Sequence, residues 1–263
     1  MEPDGALEDL KDADVILIAP YLFGAHRYPE AIPELVPLLI HQHKQKVRIG
    51  AVCTAAFILA QTGLLDGRIA TTNWQVSKTF IQTFPNVLVK PDRILTEDNG
   101  LICTGAATSQ YHLALHIIER FGSKALVRAC SKVFLVDPCR VSQTPYIIAS
   151  FKKNHGDDKI AEAQRWMETS YQDTLTIDAI AERVGLSSRH FKRRFKMATD
   201  ETPIAYLHQI RIEVAKQKLE GTRKNIDEIT HLVGYEDSGT FRRLFKRITS
   251  LSPREYRDRF STL

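Results

Sequence analysis

Residues 177–196, IDAIAERVGLSSRHFKRRFK, and residues 226–246, IDEITHLVGYEDSGTFRRLFK, are two writings of one pattern. Each reads Ile-Asp-x-Ile-x-x-x-Val-Gly and then enters a basic segment with two phenylalanines four apart, Phe191 and Phe195 or Phe241 and Phe245. The apolar positions have helical spacing. Gly185 and Gly234 fall where one short helix must stop before the next begins, and glycine takes the left-handed conformation that ends a helix at no steric cost. In the first copy Ser187 is expected to cap a helix running to about Met197, with Leu186, Phe191 and Phe195 inward. Ser188, Arg189, Lys192, Arg193 and Lys196 lie on its other faces. In the second copy residues 236–247 are expected to do the same, leaving Ser238, Gly239, Thr240, Arg242, Arg243 and Lys246 around Phe241 and Phe245. Both copies close on a hydroxyl residue, a proline and a tyrosine, Thr202-Pro203 with Tyr206 and Ser252-Pro253 with Tyr256, an N-cap with proline in the first turn. A duplicated helix-turn-helix unit follows.

Between the copies, residues 203–220 read as one helix ending at Gly221, with Ile204, Leu207, Ile210, Val214 and Leu219 as its apolar contacts. At 1.5 Å per residue it spans roughly 27 Å. Two reading helices on one face of B-DNA must sit about 34 Å apart, a separation that such a spacer and the width of its flanking units can supply.

Charge points the same way. Residues 1–150 carry 14 Lys+Arg and 14 Asp+Glu, whereas residues 151–263 carry 22 and 17, so the whole net charge of +5 lies in the C-terminal part. A basic excess suits a polyanion, because cations that neutralise phosphates release counterions. It also occurs on ordinary solvated helices, so the duplication and caps are what single out DNA.

The stretch from about Ile160 to Phe260 resembles the DNA-binding domains of the AraC/XylS family. The elements that carry the resemblance are the repeated pattern, FKRRFK, FRRLFKR, the linker RIEVAKQKL and the closing SPREYR. The resemblance implies a seven-helix domain that contacts two successive major-groove segments. Its base contacts would fall on Ser188, Arg189, Lys192 and Arg193 and on Ser238, Gly239, Thr240 and Arg243, with Arg242 and Lys246 also facing DNA. An arginine there can meet guanine O6 and N7 with two hydrogen bonds.

The N-terminal part alternates apolar strand-like runs with helical patterns. Residues 15–19 and 47–52 read as strands buried on both faces of a parallel sheet, residues 32–43 and 55–61 as helices, and the class as α/β. In IGAVCTAAFILA, Cys53 stands on a sharp strand-to-helix turn, where a helix N-terminus is expected to lower a thiol's pKa. This stretch, with its continuation to GRIATTNW, FPNVLV and LICTGAATSQYHLALHIIERFG, resembles the DJ-1/PfpI superfamily from about Asp12 to Tyr146. The closer likeness is to the version fused to AraC-type domains in amine- and amino-acid-responsive regulators. The resemblance implies a partial flavodoxin-like sandwich, since relatives place further strand-helix units before the segment equivalent to Val15. Either the start is truncated or misassigned, or the sheet has lost part of its core, and a dimer could bury the edge.

Departures from that family are specific. Asn73 occupies a place where relatives often carry histidine, and an amide cannot act as a general base. Ala55 and the loop from Ala19 to Phe23 replace glycines that admit substrate to backbone N–H groups. His112 stands where the fused regulators usually carry aspartate. Cys53 therefore has three readings, a catalytic nucleophile, a ligand-pocket or redox-sensitive residue, and an inert thiol. The expected ligand-binding residues are Cys53, Asn73 and His112, with no catalytic residue. His112 and His116, four apart with Cys103 nearby, lack a firm third ligand, so no metal and no cofactor is expected.

The expected organisation is a partial DJ-1/PfpI-like sensor or dimerisation domain over 1–142, a linker over 143–158 where Gly156-Asp157-Asp158 caps the next helix, and an all-α domain with two helix-turn-helix units over 159–263. Scattered Cys53, Cys103, Cys130 and Cys139, an acidic N-terminus and the lack of a long apolar run suggest a reducing, cytoplasmic setting without membrane contact. The expected partners are double-stranded promoter DNA, a small-molecule effector, a second copy in a homodimer and RNA polymerase. The competing class is a cysteine-dependent amidase or deglycase with a DNA-binding appendage.

Overall fold

The computed structural model describes residues 5–20 and 33–262, and these fold as two compact units, Met1–Thr144 and Pro145–Leu263. In the first unit a four-stranded sheet is ordered β1 (Val15–Ile18), β2 (Arg48–Val52), β6 (Leu101–Thr104), β5 (Leu95–Asp98). The first three strands run parallel, with Ile16 opposite Ile49 and Ala51 opposite Cys103. Strand β5 returns antiparallel to β6 through Asn99 and Gly100, at φ of 50° and 78°. Two successive positive φ values make the tight primed turn that suits strand twist, and Asn-Gly is the dipeptide that takes it most readily.

Helices α1 (Leu35–Lys44), α2 (Ala56–Gln61), α3 (Ser77–Thr83), α4 (Gln110–Phe121) and α5 (Lys124–Val133) surround this sheet, with a small parallel pair, β3 (Ile69–Ala70) and β4 (Leu88–Val89), to one side. Ile49, Ala51, Leu39, Phe57 and Phe80 are fully buried in the main core, where the rings of Phe57 and Phe80 meet edge to face at 4.9 Å. Burial on both faces holds for β2 but not for β1, whose Leu17 is 55% exposed. An apolar run of four residues cannot report which of its faces is covered.

Gln143, expected in a linker, is instead buried inside the first unit. Its amide nitrogen donates to carbonyls of Arg93 (2.9 Å) and Thr72 (3.0 Å), and its Oε1 accepts from Ala106 N at 3.0 Å. Gly105 leaves room for it, since a Cβ there would lie 2.3 Å from the Gln143 side chain.

The second unit is helical: α6 (Asp158–Thr169), α7 (Ile177–Arg183), α8 (Ser188–Thr199), α9 (Pro203–Gly221), α10 (Ile226–Leu232), α11 (Ser238–Thr249) and α12 (Pro253–Phe260). The sequence duplication extends to side chains. Phe191, Phe195 and Tyr206 form a ring chain at 5.5 and 5.3 Å, and Phe241, Phe245 and Tyr256 repeat it at 5.7 and 5.5 Å. Tyr206 donates its hydroxyl to Glu168 of α6, and Tyr256 to Glu220 of α9. By these pairings α9 both closes the first repeat and opens the second.

That double role explains α9's burial. Tyr206, Leu207 and Ile210 belong to the core of the first half, and Ile212, Ala215 and Leu219 to that of the second. The expected apolar contacts Ile204, Leu207, Ile210, Val214 and Leu219 are therefore an incomplete set, and Ile204 is 45% exposed rather than in contact. A helix packed on two sides loses the one-face pattern on which such a reading depends.

Arg211, buried in the middle of α9, donates to the carbonyls of Tyr171 (2.7 Å) and Asp173 (2.9 Å) and lies over the Tyr235 ring at 5.0 Å. It thereby joins the end of α6 to the turn of the second half. Residues 145–157, also within the expected linker, lie along this unit. Tyr146 meets Phe260 at 5.2 Å, Lys216 donates to the Ile147 carbonyl at 2.7 Å, and Phe151 meets Tyr206 at 4.7 Å. Asp157 caps α6 as expected, accepting from Ile160 N, and pairs with Arg194 at 2.8 Å.

Candidate nucleic-acid interface and thiol site

The turn before each of α8 and α11 is built by glycine, Gly185 at φ 64° and Gly234 at φ 81°. Ser187 caps α8 by accepting from His190 N, as expected, and the helix runs to Thr199. In the second copy the expected start at Glu236 moves to Ser238, because Asp237 is the cap and accepts from Thr240 N at 2.7 Å. Both helices bury their phenylalanines completely, and this fixes which arc faces solvent. Positions i, i+1, i+4 and i+5 share that arc. On α8 it carries Ser188, Arg189, Lys192 and Arg193, and on α11 Ser238, Gly239, Arg242 and Arg243 with Lys246 a turn further. The arginines, the lysines and Thr240 are exposed, while Ser188, Ser238 and Gly239 are half-buried.

The half-buried serines are held by the aspartates of the repeated Ile-Asp pair. Ser188 donates to Asp178, and Ser238 to Asp227 at 2.7 Å. Around α11 the acids reach further, since Arg242 also donates to Asp227 at 3.1 Å and Arg243, which donates to Thr240 at 3.0 Å, lies 3.9 Å from Asp237. The Ser238 hydroxyl first, and then the charge and hydrogen bond of Arg242, hold the Asp227 carboxyl below its ordinary value. No acid is paired with Arg189, Lys192 or Arg193 among the described residues. Sequence reading missed the roles of Asp178 and Asp227; their signal was the repetition itself.

In the first unit Cys53 stands between β2 and the short turn Cys53–Ala55 that leads into α2, at φ 58°. A left-handed conformation is strained for a residue with a Cβ and gives the sharp strand-to-helix elbow expected here. Thr72 Oγ1 donates to the Cys53 carbonyl at 2.8 Å. The thiol is 6% exposed, and burial raises its pKa more than hydrogen bonds from Thr54 and Asn73 lower it. The expected lowering by the helix end is thus reversed: removing water from a thiolate outweighs the hydrogen bonds offered to it. Ala55 is fully buried in helical conformation, and residues 21–23 of the loop read as lacking glycines lie outside the described residues.

The structure brings Cys53 and Asn73 together but turns His112 elsewhere, to the Asp137 carbonyl at 3.1 Å and to a cleft that neither of the other two lines. His116 pairs with Glu97 at 2.8 Å, and among the described residues no group of three His, Cys, Asp or Glu is placed to hold a metal. Nor is any described helix long and apolar enough to cross a membrane.

Family comparison agrees with this two-part geometry. A helix-turn-helix domain model matches residues 180–259, and the DJ-1/PfpI family model matches residues 1–120. The chain thus carries an AraC-type helix-turn-helix domain together with a DJ-1/PfpI domain. It is similar to the HTH-type transcriptional regulator CdhR of Pseudomonas aeruginosa, 26% identical over 97% of this chain and 75% of that protein. The HTH-type transcriptional regulator GbdR of the same species is 25% identical over 97% of this chain and 69% of that protein. The crystal structure of Drosophila melanogaster DJ-1beta is 25% identical, covering 52% of this chain and 73% of that one, with a TM-score of 0.45.

Proposed function

We propose that this protein is a sequence-specific transcription regulator that reads promoter DNA with the exposed arcs of α8 and α11, in the cytoplasm, and is not an enzyme. The observation that carries the reading is the duplication: two capped basic helices, each seated on a buried phenylalanine pair and sharing the single helix α9. Helix α9, at 19 residues, extends about 28 Å and sets the spacing of the two readers. Ser188, Arg189, Lys192 and Arg193 contact one major-groove segment, and Ser238, Gly239, Thr240, Arg242, Arg243 and Lys246 the next. Selection of bound duplexes from a random library tests this, with enrichment of a site containing two short conserved blocks about one helical turn apart as the expected outcome. Recovery of no consensus would contradict it.

The α/β unit responds to a small metabolite in this reading and shifts the chain between DNA-competent and incompetent arrangements, with a homodimer as the bound form and RNA polymerase as the downstream contact. Support for a non-catalytic role comes from the buried Cys53 thiol, which burial keeps protonated at neutral pH, and from Asn73 at its side, which cannot take a proton. Amidase activity abolished by Cys53→Ala would establish the enzyme instead.

A further inference from the structure

A cleft of about 490 Å³ opens in the α/β unit between β5, α4, α5 and the segment at 138–141. Four basic side chains line it, Arg93, Lys124, Arg128 and Arg140, against one acid, Glu119. Lys124 and Arg128 stand four apart on α5 and so share a face, and neither has an acidic partner among the described residues. Among the described residues the only acid paired with Arg93 is Asp92, at 3.7 Å and itself half exposed. The floor is apolar, with Ile94 and Leu115 buried and Val127 half-buried. His112, on the wall, is held below its ordinary pKa chiefly by burial, with the charge of Arg140 adding to it and the charge of Asp137 and hydrogen bonds to the Asp137 and Thr108 carbonyls opposing it. With four basic side chains against one acid in its lining, the cleft carries a net positive field.

We propose that this cleft is a binding site for a small oxyanion, a carboxylate or a phosphate ester, carried on an apolar body. Its volume suits a metabolite, its cations supply paired donors for an oxyanion, and its floor accepts the apolar part. The same field disfavours a quaternary ammonium or amine lacking an acid group. The cleft lies apart from the Cys53 elbow, which contributes no residue to it. The proposal deepens the reading of this unit as metabolite-responsive and rests on it.

Calorimetric titration of the full chain with phenyl phosphate, benzoate and phenyltrimethylammonium tests the site, the first two probes separating phosphate from carboxylate. One or both anions should bind and the cation of like shape should not. The double variant Lys124→Ala/Arg128→Ala should weaken anion binding by about ten-fold or more. Glu119→Gln should strengthen it, and Lys78→Ala, removing a charge elsewhere on the unit, should leave it unchanged. Failure of both anions to bind, equal binding of the cation, or indifference to the double variant overturns the cleft. DNA affinity measured under saturating anion is the separate arm: no change there overturns metabolite response while leaving the anion site standing.

Discussion

Arg193 of α8 has no acidic partner among the described residues, whereas in α11 Arg242 lies 3.1 Å from Asp227 and Arg243 lies 3.9 Å from Asp237. The two helices otherwise superpose in role: each starts after a left-handed glycine, each anchors a serine on the aspartate of the Ile-Asp pair, and each ends in a left-handed cap, Asp200 or Ser250. One frame thus carries two electrostatic settings. Under the proposed function, α8 would present free cations to a polyanion, while α11 would have to exchange internal partners for DNA. Such exposed pairs are worth about 0–1 kcal/mol, enough to set which reader contributes more without preventing either from binding.

The frame itself is less symmetric than the φ values suggest. A Cβ at Gly234 would lie 2.8 Å from the Gln172 carbonyl, because the second turn packs on the end of the first half, whereas at Gly185 the nearest atom is the flexible Lys159 Nζ at 3.4 Å. Gly185→Ala should cost about 1–2 kcal/mol from backbone strain alone. Gly234→Ala should cost roughly 3 kcal/mol or more from strain and backbone overlap together. Urea denaturation of the two variants decides this, and equal losses would show that the two turns are equivalent.

For DNA, Arg193→Ala should lose about 1–3 kcal/mol at a selected site, and Arg243→Ala less, near 1 kcal/mol, since its removal also ends a competing internal contact. Fluorescence anisotropy at fixed salt measures both, and a larger loss for Arg243→Ala contradicts the proposed inequality. The Asp157–Arg194 pair is made by α8 and has no counterpart on α11 among the described residues, where Leu244 stands in the place of Arg194. Burial opposes ionisation of Asp157, but the Arg194 hydrogen bond and charge and the Ile160 N–H outweigh it, so its folded pKa is depressed. Its contribution is therefore fully present above the ordinary carboxylate range and disappears as pH falls through the lower folded value. Asp157→Asn should cost about 1 kcal/mol at neutral pH and progressively less below about pH 4, read from denaturation midpoints across pH. The smallest effect is a gain. Asp237→Asn keeps a competent cap while releasing Arg243, and should tighten DNA binding by about two- to five-fold.

What the sequence made legible were features written locally. The two glycines, the Ser187 cap, the phenylalanine stripes and the Cys53 elbow each depend on a few adjacent residues. Features that depend on distant partners escaped. Arg211 and Lys216 were not among the apolar contacts expected of their helix, yet both are buried because carbonyls of Tyr171, Asp173 and Ile147 meet them from elsewhere in the chain. Gln143 and residues 145–157 read as a polar linker, because hydrogen bonding of polar groups leaves no apolar period to see. The Cys53 elbow was legible but its pKa direction was not, since local geometry offers hydrogen bonds while burial comes from the fold around it. Asp98-Asn99-Gly100 did hold a local hairpin signal, masked by the apolar runs that mark parallel strands.

The claim that two unequal readers share one rigid helix is tested most directly by footprinting a selected duplex with the full chain, Arg193→Ala and Arg243→Ala. The account predicts protection of two successive major-groove segments, with Arg193→Ala weakening protection at one, Arg243→Ala at the other, and the former effect the larger. A single protected segment, or two segments unaffected by either substitution, would contradict it.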